Sequence, residues 1–235
     1  MNKNKKYTTI LFDADDTLLD YKKAERNALI KVLEWCGITA TKEIADRYSQ
    51  INSGLWREFE NGKITKEDIR KERFVRLFAE FGFTDTPAIK QINDEYLKFL
   101  GEGSSLIDGA FELCGKLKEE GYDLYIITNG FAPIQKKRLR ESGIADFFTD
   151  VIVSETVGSQ KPFTDFFDKV FEVLHEKDKS KILVVGDSLG SDIQGANNAG
   201  LPCVWFNPEH SINDRNLRIN FEAETLAEIY DFLSE

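Results

Sequence analysis

Apolar positions fall into two textures along the chain, and the change between them comes near Gly101. At the start, Ile10-Leu11-Phe12 is a short continuous apolar run that reads as a buried strand. From about Ala24 to Leu100 the spacing is helical instead. Ala24, Ala28, Val32 and Trp35 recur at three- and four-residue steps, and Gly37 is placed as a helix stop. A second helix carries Ile44, Tyr48, Ile51 and Leu55. Asn61-Gly62-Lys63 reads as a turn, Thr65 opens a helix containing Phe74, Leu77, Phe78 and Phe81, and a fourth helix runs from about Pro87 to Leu100. Four helices in succession predict a separate layer whose apolar faces make a small bundle core.

Beyond Gly101 short apolar runs alternate with amphipathic stretches, the pattern of a parallel α/β sheet. The strands are expected at Leu124–Thr128, Val151–Ser154, Ile182–Gly186 and Cys203–Phe206. Helices are expected at Ala110–Glu120, Ile134–Ser142, Thr164–His175 and Ser191–Ala199. The first strand belongs with these by composition. The predicted architecture is therefore an α/β parallel-sheet core, residues 1–18 and 105–235, interrupted by a helical insert, residues 19–104. No internal repeat or low-complexity segment is present in the sequence.

Composition narrows the function classes. A chain of 235 residues with 41% hydrophobic content can build a packed core. Its formal charge of −10 argues against a nucleic-acid polymer as partner, because such binders use Lys and Arg to displace counterions. A small anion held by a few local cations remains compatible with that charge. The run after Lys3, Lys5 and Lys6 is too short for a signal or a membrane span, so a cytoplasmic protein with no membrane partner is expected. Cys36, Cys114 and Cys203 are odd in number and far apart, which suggests neither a disulfide frame nor a zinc site. With only His175 and His210 in the chain, hydrolytic chemistry would run on carboxylates rather than a Ser-His pair.

The carboxylates concentrate where the first strand ends, in Asp13-Ala14-Asp15-Asp16. Such a cluster is tolerated only when it is solvated, protonated or neutralised by a cation. If strand geometry persisted, Asp13 and Asp15 would point to one side and could reach one metal ion. A solvated acidic loop is the competing reading. A calcium loop fails on spacing, since Leu18 and Ala24 stand where that motif needs Gly and Glu. Ligands in open α/β sheets bind beyond the carboxyl ends of the strands, and three more polar clusters fall there. These are Thr128-Asn129-Gly130, Gln160-Lys161-Pro162, and Gly186-Asp187 running on to Asp192. Each alone is an ordinary turn or helix entrance; together, in this order at strand ends, they are poorly explained by chance.

Asp13-Ala14-Asp15-Asp16-Thr17, Thr128, Lys161 and Gly186-Asp187 with Asp192 match the four motifs of the haloacid dehalogenase superfamily, which the sequence resembles over its whole length. The resemblance implies a Rossmann-like core with a C1-type helical cap. It further implies a nucleophilic Asp13 that forms an aspartyl phosphate, and a general acid–base Asp15. Magnesium is implied at Asp13, the main-chain carbonyl of Asp15, and Asp187. Thr128 and the Asn129 amide would bind phosphate oxygens, Lys161 would offset negative charge, and Asp192 would stand behind them, orienting Lys161 or a water. True haloacid dehalogenases lack the carboxylate found here at Asp15, so this residue points to phosphoryl chemistry. A phosphomutase keeps both residues and stays open. A receiver domain is disfavoured because it carries no cap, and a non-enzymatic descendant would be expected to have lost Asp13 or Asp15.

A closer likeness is to the YjjG/YfnB-type 5'-nucleotidase branch, seen in Phe12-Asp13-Ala14-Asp15-Asp16-Thr17-Leu18, in the segment Ile51 to Phe59 and in Asn198 to Pro208. It implies a nucleoside monophosphatase that often favours pyrimidines; whether the chain acts as a monomer or a homodimer is left open by the sequence. The alternative is a promiscuous sugar-phosphate or phosphoglycolate-type phosphatase. Asn52 and Trp56, at i and i+4 on one helix face, become candidate substrate contacts, with Trp56 stacking on a base. Equally, Trp56 and Phe59 could be bundle core. Hinges are expected near Asp20–Lys22 and Gly101–Ser105.

Overall fold

The structure, a computed structural model, describes residues 5–234. Its first strand, β1 (Thr9–Phe12), is buried at every position. Five strands follow in the chain: β2 (Asp123–Thr128), β3 (Asp150–Val153), β4 (Ile182–Gly186), β5 (Cys203–Phe206) and β6 (Phe221–Ala223). They form one sheet in the order β3-β2-β1-β4-β5-β6, with every neighbouring pair parallel. The order runs outward in both directions from β1, so the sheet has a crevice at the carboxyl ends of β1 and β4 where the winding reverses.

Continuous apolar strands are what a sheet covered on both faces requires, and period-two alternation divides their side chains between two cores. Ile10, Phe12, Leu124, Ile126, Leu183, Val185, Val204 and Phe206 face one side. Leu11, Tyr125, Ile127, Ile182, Val184, Cys203 and Trp205 face the other.

The chain divides into two compact units, one comprising the segment up to Asp20 and that from Ser105 onward, the other Tyr21–Ser104. The second unit is four helices: α1 (Tyr21–Trp35), α2 (Lys42–Glu60), α3 (Lys66–Phe81) and α4 (Ile89–Leu100). Thr41 caps α2 by accepting from the Ile44 N–H, and Thr65 with Asp68 makes a capping box on α3. Inside, Tyr48, Phe74 and Tyr96 pack ring against ring with centroids 5.4–5.6 Å apart. Trp35 lies on the apolar stripe of α1 but in its last turn, where it is 46% exposed, so the core stripe ends at Leu33.

Around the sheet lie α5 (Ala110–Glu119), α6 (Ala132–Ser142), the single turn α7 (Ser154–Val157), α8 (Thr164–Val173), α9 (Gln194–Ala199) and α10 (Leu226–Ser234). Helices α5 and α10 bury Leu113, Leu117, Leu226 and Ile229 in the first core, while α8 and α9 bury Phe166, Phe167, Val170 and Ala196 in the second. Three differences from expectation stand out. Ser154 begins a helical turn rather than ending β3. The helix expected over Ser191–Ala199 is a π-helical turn, Leu189–Ile193, followed by α9. Strand β6 and helix α10 were not anticipated, the strand because its three residues are too few for a periodic signal. Among the described residues no helix is long and apolar enough to cross a membrane.

Candidate active site

Asp13 stands one residue beyond β1, its N–H still donating to the Val185 carbonyl at 2.8 Å as the ladder runs out. Thr128 is the last residue of β2, Asp187 follows β4, and Lys161 precedes α8. Parallel strands in register thus bring four distant segments to one rim. The Lys161 ammonium is 1% exposed and donates to three acceptors: Asp13 Oδ1 at 2.5 Å, Asp192 Oδ1 at 2.6 Å and the Ile127 carbonyl at 2.8 Å. All three ammonium hydrogens are used, which fixes its position.

Carboxylate oxygens of Asp13, Asp187 and Asp192 lie within 4.8 Å of one another. Asp192 Oδ2 accepts from the Ser188 N–H at 3.1 Å, and its side chain presses so closely on Gly186 that a Cβ there would lie 2.3 Å from its Cγ. That contact explains the glycine in Gly186-Asp187. Asp187 is held by Thr17, whose hydroxyl donates to Oδ1 at 3.3 Å and accepts from the Asp187 N–H at 3.1 Å. Trp205 Nε1 donates to the Asp187 carbonyl at 2.8 Å.

Burial pushes the Asp13 carboxyl up to about 8, with Asp192 and Asp15 adding to the rise and Lys161 opposing it. Asp187 is raised as well, first by burial and then by Asp13, Asp192 and Asp16. Burial acts to lower the Lys161 ammonium, but Asp13 and Asp192 outweigh it and the net direction is up. Ionised together, three carboxylates against one ammonium would leave a buried excess of negative charge on oxygen donors alone, which is why burial holds two of them toward the protonated form. A divalent hard cation fits that set, by charge and by ligand type.

Asp15 departs from the strand-based expectation. The chain leaves strand geometry after Phe12 and turns tightly, with Leu18 and Leu19 N–H groups both bonding the Ala14 carbonyl and Asp16 at φ 57°. As a result the Asp15 carboxylate does not join the cluster formed by Asp13, Asp187 and Asp192. It is held from α6 instead, by Arg138 on Oδ1 and by Gln135 Nε2 on Oδ2 at 2.8 Å. Asn129 likewise turns its side chain to the protein: Nδ2 donates to the Lys161 carbonyl at 3.0 Å, and Oδ1 accepts from the Lys161 N–H at 3.0 Å. Any contact with an anion would thereby fall to its main chain. The Thr128 hydroxyl accepts from the Gly130 N–H at 3.0 Å and from Gln135 Nε2 at 2.9 Å. With both lone pairs engaged, its own proton is the part left to offer an anionic oxygen.

The two helical-unit candidates are differently placed. Asn52 is 1% exposed, with both amide hydrogens spent inside that unit, on Glu25 Oε1 at 2.7 Å and the Tyr21 hydroxyl at 3.0 Å. In this arrangement its amide nitrogen braces α2 against α1. Trp56 is half-buried and meets Phe59 edge-on at 5.7 Å.

Gln135 and Arg138 are site residues that the sequence reading did not pick out. Arg138 sits in the run Lys136-Lys137-Arg138-Leu139-Arg140, which reads as a solvated basic face, yet it is fully buried. Its place three residues after Gln135, on the helix opened by Thr128-Asn129-Gly130, is the one signal available.

Known proteins resemble the chain over most of its length. The family model described as haloacid dehalogenase-like hydrolase matches residues 7–200. The chain is 42% identical over 230 residues to the HAD-type protein YfnB of Bacillus subtilis, covering 98% of this chain and 97% of that one. The crystal structure of YfnB bound to magnesium superposes with a TM-score of 0.92, over 98% of this chain and 100% of that one. The chain is 36% identical to the pyrimidine 5'-nucleotidase PynA of Streptococcus pneumoniae, over 97% of this chain and 96% of that one. It is also 31% identical to the pyrimidine 5'-nucleotidase YjjG of Escherichia coli, over 97% of this chain and 98% of that one.

Proposed function

The chain belongs to the haloacid dehalogenase-like hydrolases, and from that premise we propose that it hydrolyses nucleoside 5'-monophosphates, pyrimidine nucleotides foremost, through an aspartyl phosphate on Asp13. The observation that carries the reading is the seating of Asp13: buried at the end of β1, one oxygen on Lys161, beside two further carboxylates. Relatives that are pyrimidine 5'-nucleotidases support the substrate class.

Lys161 occupies Oδ1 of Asp13, which leaves Oδ2 to attack phosphorus in line with the departing ester oxygen. As the phosphorus–oxygen bond breaks, Asp15 gives its proton to the leaving alcohol. It then takes a proton from the water that attacks the aspartyl phosphate, releasing phosphate and restoring Asp13. The Thr128 hydroxyl and the Asn129 main chain receive phosphoryl oxygens, while Lys161, steadied by Asp192, offsets their charge. Magnesium held by Asp13, the Asp15 carbonyl and Asp187 would supply the positive charge that draws a phosphate dianion into this acidic rim. The unit Tyr21–Ser104 is the proposed cap, with the chain crossings at 20–21 and 104–105 as its hinges and Trp56 as a base contact.

Phosphate release from a panel of nucleoside monophosphates, sugar phosphates and phosphoglycolate, with magnesium and with chelator, tests the reading alongside Asp13→Asn. Release that needs both magnesium and Asp13, led by pyrimidine nucleotides, is the expected result. Release led by sugar phosphates overturns the substrate, and activity retained by Asp13→Asn overturns the mechanism. Trp56→Ala is expected to lower the preference for nucleotides over sugar phosphates; an unchanged preference in a folded variant removes Trp56 from the site.

A further inference from the structure

Helix α6 presents to the rim a closed circuit of hydrogen bonds that the steps above do not use. Arg138 Nη1 donates to Asp15 Oδ1 and, at 3.0 Å, to Gln135 Oε1. Gln135 Nε2 divides its two hydrogens between Asp15 Oδ2 at 2.8 Å and Thr128 Oγ1 at 2.9 Å. Only one orientation of the Gln135 amide satisfies its three contacts, because its oxygen must face the guanidinium and its nitrogen the carboxylate. Arg138 is 0% and Gln135 1% exposed, whereas the Asp15 side chain keeps 26% of its surface in solvent. Burying a guanidinium is costly unless it is well paired, and the pairing here is made to a residue at the reacting centre. The fit also governs the backbone: a Cβ at Gly130 would lie 2.6 Å from Gln135 Cγ, so this approach of α6 requires the glycine of Thr128-Asn129-Gly130.

We propose that Gln135 and Arg138 are positioning residues that set the Asp15 carboxyl where the leaving oxygen departs and lock it in register with the Thr128 hydroxyl. The inference rests on the acid–base role given to Asp15 above. A planar guanidinium and a planar amide on one rigid helix grip both carboxyl oxygens, so the carboxyl is not free to swivel about its own bonds. Through Gln135 the same helix ties proton delivery to phosphoryl binding.

Leaving-group dependence separates positioning from general structural damage. An alkyl ester needs its departing oxygen protonated, whereas 4-nitrophenol leaves as a stable anion and needs little acid help. Values of kcat/KM for uridine 5'-monophosphate and for 4-nitrophenyl phosphate, both with magnesium, are compared in Asp15→Asn, Arg138→Met, Arg138→Lys and Gln135→Met. For Asp15→Asn the nucleotide is expected to lose about 10²-fold more than the aryl ester. Arg138→Met is expected to show a bias of the same sign, with Arg138→Lys recovering part of it and Gln135→Met adding a rise in KM through Thr128. If Asp15→Asn shows no bias, the acid role itself is wrong. If Asp15→Asn shows the bias but Arg138→Met loses equally on both esters, or gains on either, the positioning inference is overturned. Should Arg138→Met fail to fold, Arg138→Lys and Gln135→Met are read by the same criterion.

Discussion

Gly186 and Asp192 illustrate how tightly single residues are bound into the rim. A methyl group at Gly186 has no room beside the Asp192 carboxylate, so Gly186→Ala must displace Asp192 and with it one of the three acceptors of Lys161. We expect it to cost about 1–3 kcal/mol, the usual range for overpacking a filled site, read by urea unfolding, together with a fall in activity. The raised carboxyls carry a pH dependence whose sign is fixed. Asp13 titrates near 8 in the folded chain against an ordinary value of 3.8. Its contribution to stability is therefore complete below about 4 and lost as pH rises through about 8, with Asp187 acting in the same direction. In chelator the thermal midpoint should fall across that window, and Asp13→Asn should flatten the fall while abolishing turnover. Asp15 shows why sequence spacing misled: period-two reasoning requires a strand, and the chain had already turned at Ala14.

Among the elements, those with a strong periodic or apolar signal were legible. β1, β2, β4 and β5 announce themselves because both faces are buried, and α1 to α4 because their apolar stripes meet in one bundle. Strand β6 was not legible, since three residues at a sheet edge carry little pattern, and α6 was legible as a helix but not as a part of the site. Its basic residues look alike in sequence; only the fold separates buried Arg138 from exposed Lys136 and Arg140. In the helical unit the capping box of α3 is a local device with a local cost. Thr65→Ala should lower stability by about 1 kcal/mol, measured by urea unfolding, with kcat/KM unchanged.

At the scale of the whole molecule, a rim whose carboxyls are held toward the protonated form leaves the folded state incomplete as an electrostatic object. Magnesium should therefore raise the thermal midpoint in a concentration-dependent way, as any ligand of the native state does. Asp187→Asn should remove most of that increment and, in chelator, leave the protein more stable than the parent. Loss of the increment in the Asp192→Asn variant alone would move the ion away from Asp187.

The insertion of the helical unit directly after β1 also has a consequence for how the chain is made. Thr9 pairs with Asp123 on one side and Ile182 on the other, so the first strand of the sheet to be made waits for partners far along the chain. The four helices between them fold on contacts close in sequence and can form while the sheet is still unmade. During that interval β1 is an unpaired, uncharged edge, the kind of segment on which chains aggregate. Yield of native protein at high expression should depend on how quickly β2 and β4 arrive, and the acidic run after Phe12 sets charge directly beside that exposed edge.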